Sequence, residues 1–174
     1  FTDDTVMSLA IARALLEGSE YGKEMKTLGR KYPDAGYGGN FFRWLFEDQI
    51  IPYQSWGNGA AMRVSPIGFY FDSEEQVLQE ARATAQVSHD HPEGVKGAQS
   101  VALAILLARG GASKVAIRNR IQADFGYNLN RSYTEIRPVY RFDVSCQGSV
   151  PEALIAFLDS SDYESAVRLA VSLG

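Results

Sequence analysis

Thr5-Val6-Met7-Ser8-Leu9-Ala10-Ile11-Ala12-Arg13-Ala14-Leu15-Leu16-Glu17 decides the fold class. Apolar residues fall at Val6, Leu9, Ala10 and Ala14, and again at Met7, Ile11 and Leu15. That is the spacing of a helix buried on most of its sides, and Gly18 ends it. The same period recurs down the chain. Tyr21 to Lys31 reads as a more polar helix with Met25 and Leu28 inward, stopped by Pro33. Asn40 to Asp48 forms an aromatic helix after the loop Gly36-Tyr37-Gly38-Gly39. Asp72-Ser73-Glu74-Glu75 starts a helix to Gln86, with its acidic residues where the helix dipole favours them. Pro92 opens another that reaches Ala108 and closes at Gly110-Gly111. Lys114 to Phe125, Pro151 to Leu158 and Tyr163 to Leu173 follow, the last capped by Asp162. Only Glu135 to Val144 reads as extended. The expectation is an all-α protein, residues 1–174 forming one compact domain.

Composition narrows the class. The chain has 174 residues, of which 45% are hydrophobic and 22% charged, the usage of an ordinary globular protein and not of a disordered one. Seventeen Lys and Arg against 21 Asp and Glu leave a net charge of −4 with no basic run, which argues against nucleic-acid binding. The one cysteine, Cys146, cannot staple the chain to itself and favours a reducing compartment. The longest strongly apolar stretch, Val101 to Ala108, is far shorter than the roughly 20 residues that span a bilayer. A cytoplasmic protein with no membrane segment is expected.

Three clusters carry possible chemistry. Thr2-Asp3-Asp4-Thr5 precedes the buried helix. Hydroxyls and carboxylates there serve either as N-caps and dipole complements or as oxygen ligands for a hard cation such as Mg²⁺. Ser55-Trp56-Gly57-Asn58-Gly59-Ala60-Ala61-Met62-Arg63 is a glycine-rich turn feeding a helical segment, Ala60 to Val64. Its backbone N–H groups suit a phosphate and Trp56 a stacked ring, while a plain tight turn with a core tryptophan explains it equally well. Ser88-His89-Asp90-His91-Pro92 holds both histidines. No third histidine completes a zinc set, and Asp90 or His91 suits the cap before Pro92, which leaves His89 as the ligand-contact candidate. A Cys146–His89 nucleophile pair is conceivable, but an inert structural cysteine fits a lone thiol better.

The order of these blocks identifies a resemblance. Phe1-Thr2-Asp3-Asp4-Thr5-Val6-Met7, Gly57-Asn58-Gly59-Ala60-Ala61-Met62-Arg63, Ser88-His89 with Gly94 and Gly97-Ala98, and Ser149-Val150-Pro151-Glu152-Ala153 together closely resemble the ADP-ribosylglycohydrolase family. The resemblance implies a compact array of orthogonally packed helices around two Mg²⁺ ions, or Mn²⁺ in some members. It implies hydrolysis of the bond between ADP-ribose and a modified protein side chain or small acceptor. Thr2, Asp3 and Asp4 match metal ligands, with Asp3 and Asp4 at the catalytic centre. Ser55, Trp56, Gly57, Asn58 and Gly59 match the loop that holds the diphosphate and flanks the adenine, and His89 matches a substrate-contacting histidine. A non-catalytic ADP-ribose binder or a structural, crystallin-like protein is the alternative the same family offers.

The family pattern also extends beyond both ends. It usually includes an upstream Gly-Asp and glutamate, and it continues after the Leu173-Gly174 equivalent with Gly-Asp-x-Asp-Thr, which supplies the opposing metal ligands. Phe1 opens without an initiator Met, and Gly174 stands where a helix-capping glycine announces more chain. The expectation is the central part of a larger domain, which alone binds metal weakly or not at all.

Overall fold

The computed structural model describes residues 1–173. Eleven helices follow one another: α1 (Asp3–Glu17), α2 (Tyr21–Lys31), α3 (Gly39–Phe46), α4 (Gly59–Met62), α5 (Ser65–Tyr70), α6 (Glu74–Gln86), α7 (Pro92–Arg109), α8 (Lys114–Phe125), α9 (Tyr133–Ile136), α10 (Cys146–Asp159) and α11 (Tyr163–Leu173). Among the described residues there is no strand, and the one β-bridge joins Gly57 to Ser145. The all-α expectation is met.

Helix α7 is the axis of the packing. Gly94, Gly97, Ala98, Ala102 and Leu103 line its buried faces, and small residues let α4, α5, α6, α8 and α10 all approach it. At Gly97 a methyl group would stand 2.5 Å from Cys146 Sγ, so glycine is required where α10 crosses α7. The α1–α2 pair packs on one side, with Met7, Ile11 and Met25 fully buried. Lys26 anchors α2 to α3 by donating from Nζ to the carbonyl oxygens of Trp44 and Glu47, with its ammonium over the Trp44 ring.

The caps explain most boundaries. Ser73, His91, Ser113 and Ser145 accept from the N–H groups of Gln76, Glu93, Ala116 and Gly148. Asp162 accepts from the Ser165 N–H at 2.7 Å, as the sequence suggested. The Gly174 cap lies outside the described residues.

Three expectations need correction. Helix α10 begins at Cys146, with Pro151 inside it, because Ser145 caps the earlier turn and Cys146 N–H is tied to the Trp56 carbonyl at 2.9 Å. Glu135 to Val144 is not a strand; Ser132 and Glu135 form a capping box that starts α9, and Pro138 follows in a turn. Helix α1 buries one broad face only, leaving Leu9 57% and Leu16 78% exposed.

Candidate functional site

The glycine-rich turn is clamped on both sides. Asn58 N–H donates to the Val144 carbonyl at 2.7 Å, and its side-chain amide donates to Ser149 Oγ at 3.1 Å. Cys146 Sγ donates to the Gly57 carbonyl at 3.3 Å. Ser55 Oγ accepts from the Gly57 N–H at 3.1 Å. Just upstream, Gln54 is the only described non-glycine residue with positive φ, 55°. Asp90 holds that conformation by accepting from the Gln54 N–H and from its side-chain amide. The segment entering the turn is thus fixed by α10 from one side and by the α6–α7 connection from the other.

His89 closes the turn from within. A methyl group built on Gly59 would lie 2.9 Å from His89 Nε2, and one on Gly57 would lie 3.5 Å from it. Glycine at both positions therefore permits close approach of the imidazole edge to the turn. The ring also packs against Phe41 and Tyr53, with centroids 6.0 and 5.7 Å away. Burial first, then the Arg63 charge, holds His89 well below the usual histidine range. It is neutral at neutral pH.

Behind His89 stands a residue whose role the sequence reading left unassigned. Arg63, at the end of α4, is fully buried with no carboxylate partner among the described residues. Its Nη2 donates to the Thr84 carbonyl at 2.8 Å and to Ser88 Oγ at 2.9 Å, while Nε and Nη1 lack protein partners. Thr84 O lies in the last turn of α6, where carbonyls lose their helical donors and cations are favoured. Ser88 and Thr84 are themselves fully buried. Arg63 and Ser88 both stand in the motif blocks, but only the burial of Arg63 reveals that they meet.

Thr2, Asp3 and Asp4 sit at the start of α1. Thr2 makes no side-chain cap; its hydroxyl donates to Asp4 Oδ2 at 3.0 Å, and Asp3 Oδ1 accepts from the Asp4 N–H. The capping explanation therefore holds only for the two charges in the first turn. Partial burial, then the neighbouring Asp4 charge, raises the Asp3 carboxyl above its usual range. Three oxygen-bearing side chains with mutually repelling carboxylates have the donor chemistry of a hard-cation site. They supply one side of it: among the described residues no three His, Cys, Asp or Glu side chains come together as a metal-holding group. Among these residues no hydrogen bond joins Thr2–Asp4 to the turn. The link is through packing: Asp3 N–H is bonded to the Ala35 carbonyl at 2.8 Å, Tyr37 lies near Asp3, and the rings of Tyr37, Phe41 and His89 follow in series.

The other expected residues fall on the rim or drop out. Trp56 is 54% exposed, edge-on to His91 at 5.6 Å between centroids. His91 caps α7 and Asp90 pins Gln54, so the two histidines have separate roles. Burial pushes the Cys146 thiol up to about 12 and its Sγ is engaged with Gly57, so it is a packing residue and no nucleophile. Beside the turn lies a cleft of about 160 Å³ lined by Asn58, Phe142, Asp143, Ser149 and Glu152. A larger cleft of about 310 Å³, between Leu15, Tyr21, Tyr70 and Glu80, contains none of the motif residues. No described helix is long and apolar enough to cross a membrane.

Comparison with known proteins gives a consistent result. The family pattern described as ADP-ribosylglycohydrolase matches residues 1–174. ADP-ribosylhydrolase ARH3 of Bos taurus and of Homo sapiens are each 33% identical over 132 residues, covering 65% of this chain and 36% of theirs. The Danio rerio ARH3 is 30% identical over 131 residues. A solved structure described as an ADP-ribosylglycohydrolase-related protein complex matches with a TM-score of 0.76 and 26% identity, over all of this chain and 65% of that one. The chain thus spans little more than a third of the length of the curated relatives it matches. With the family pattern running through every residue and the helical fold shared with a solved relative, the chain belongs to the ADP-ribosylglycohydrolase family.

Proposed function

We propose that this chain is part of an enzyme that hydrolyses the glycosidic bond between ADP-ribose and a modified protein side chain or small acceptor. The observation that carries the reading is the convergence of His89 Nε2 on the Gly57-Asn58-Gly59 turn. A neutral, buried N–H donor and a turn with no Cβ at Gly57 or Gly59 make a surface on which a diphosphate can lie close to the backbone. Trp56, exposed on the rim, would stack on the adenine. Asn58 holds the turn to α10 through Ser149, so its part is to keep the cradle in shape.

Binding the diphosphate there fixes the distal ribose without touching the reacting bond. That use of remote contacts orients the anomeric carbon toward the α1 end of the site. Thr2, Asp3 and Asp4 would hold Mg²⁺ ions from one side, the ions supplying Lewis acidity and an ordered water when bound. A carboxylate beside the ions would carry the proton during departure of the acceptor. The residues on the opposing side belong to the larger domain that the family pattern implies.

A non-catalytic ADP-ribose binder is the second reading, since the turn and His89 would hold a diphosphate without any metal ion. One assay separates the two. The protein extended to its relatives' length is incubated with serine-, arginine- and ester-linked ADP-ribose, with and without Mg²⁺, alongside Asp3→Asn and Asp4→Asn variants. Metal-dependent release of ADP-ribose that both variants lose supports the enzyme. Binding without release from any linkage supports the binder.

A further inference from the structure

The cluster behind His89 fixes something the family resemblance does not specify, namely which imidazole nitrogen carries the proton. Arg63 Nη2 is only a donor, so Ser88 Oγ must accept from it across their 2.9 Å contact. The Ser88 hydroxyl has one hydrogen left to give, and its other contact is His89 Nδ1 at 2.8 Å. Were Nδ1 protonated, two donors would face Ser88 and its own hydrogen would be left unpaired in a site with no solvent exposure. The hydroxyl therefore donates to Nδ1, and the imidazole proton sits on Nε2.

Helix α6 keeps this arrangement in one direction. Ser88 and His89 both donate their N–H groups to the Ala85 carbonyl, which leaves the Thr84 carbonyl for the second hydrogen of Arg63 Nη2. A serine four residues beyond a free carbonyl would otherwise turn its own hydroxyl back onto it. Arg63 occupies that acceptor and so holds the Ser88 hydrogen toward His89.

We propose that Arg63 and Ser88 are positioning residues, forming a relay that locks His89 in its Nε2–H tautomer and presents that N–H to an anionic oxygen of the ligand at the Gly57–Gly59 turn. The relay places the guanidinium behind an uncharged ring, so the donor is polarised without a second cation entering the site. The ligand part of the proposal rests on the ADP-ribose reading above; the tautomer part does not.

The chain has two histidines, so the test is direct. Histidine-labelled protein is studied by ¹⁵N NMR of the ring nitrogens at neutral pH, with His91→Asn assigning the two sets of signals. The unmodified chain should show Nε2 protonated and Nδ1 bare. Ser88→Ala should give a mixture of tautomers and weaken ADP-ribose binding by about tenfold, the loss of one well-placed hydrogen bond. Arg63→Met frees Thr84 O for the Ser88 hydroxyl and should move the proton to Nδ1. Protonated Nδ1 in the unmodified chain, or a tautomer unchanged in Ser88→Ala, overturns the relay. Failure of the unmodified chain to bind ADP-ribose would overturn the ligand assignment, whereas the NMR signature reads the relay independently.

Discussion

Replacing Arg63 by methionine should leave stability nearly unchanged, although it removes the largest fully buried charged side chain in the described residues. Desolvation pulls the guanidinium down to about 10, with Tyr53 and Cys146 opposing the fall only partly. A displacement of that size corresponds to about 3 kcal/mol against folding. The sign follows from linkage. Below pH 10 the group is charged in both folded and unfolded chains, so the penalty is fully present at neutral pH. It fades only as the folded-state group loses its proton above that. Methionine removes this penalty and fills most of the same volume. It also removes the two bonds from Nη2 to Thr84 O and Ser88 Oγ, worth about 1.5 kcal/mol each or somewhat more. The opposing effects nearly cancel, and urea unfolding at pH 7 should place Arg63→Met within about 2 kcal/mol of the parent. Arg63→Ala should lose about 2–4 kcal/mol more, because it leaves a cavity. A loss above about 4 kcal/mol for the methionine variant would refute the reasoning, since a loss that large belongs to a buried charge with a true counter-ion.

Other consequences can be measured in the same chain. Gly59→Ala drives a methyl to 2.9 Å from His89 Nε2, so it should lower ADP-ribose affinity by about tenfold or more while changing stability by less than about 2 kcal/mol; titration calorimetry and urea unfolding read the two effects. Gly97→Ala meets Cys146 Sγ at 2.5 Å and Cβ at 2.8 Å and should cost about 1–3 kcal/mol despite alanine's better helix propensity. Adding Cys146→Gly should recover part of that loss, and a double-mutant cycle without coupling would show that the α7–α10 crossing is looser than described. His89, held below its ordinary range by burial and Arg63, binds its proton only on unfolding as the pH falls below the unfolded value of about 6.5. Stability should therefore fall as the pH drops through that value, by at most about 1.4 kcal/mol per pH unit, and His89→Gln should flatten the profile there.

The sequence made some elements plain for local reasons. Helices α2, α6 and α8 match their expected spans because a period, a cap or breaker and a turn signal agreed at each end. Helix α10 was cut short because Pro151 looks like a helix start, and only the tertiary tie between Cys146 and Trp56 supports the turn before it. The apolar residues of α1 gave no means of telling which would be covered, and Leu9 and Leu16 are not. At the site, the motifs put the turn and His89 in one constellation, and the close approach of Nε2 to Gly59 makes them neighbours in space. The relay was not legible. An arginine in a helical stretch reads as a surface residue, and nothing local announces that Arg63 is enclosed between α6 and Phe41. The partnership of Asn58 with Ser149 spans 91 residues and was equally hidden.

The central claim is that the Gly57–Gly59 turn and His89 form the ADP-ribose cradle. Isothermal titration of the chain with ADP-ribose, beside Gly59→Ala and the packing control Ile117→Val in the buried face of α8, tests it most directly. The account predicts one saturable site per chain, weakened in Gly59→Ala and retained in Ile117→Val under conditions where both are folded. Equal affinity in the parent and Gly59→Ala would contradict it.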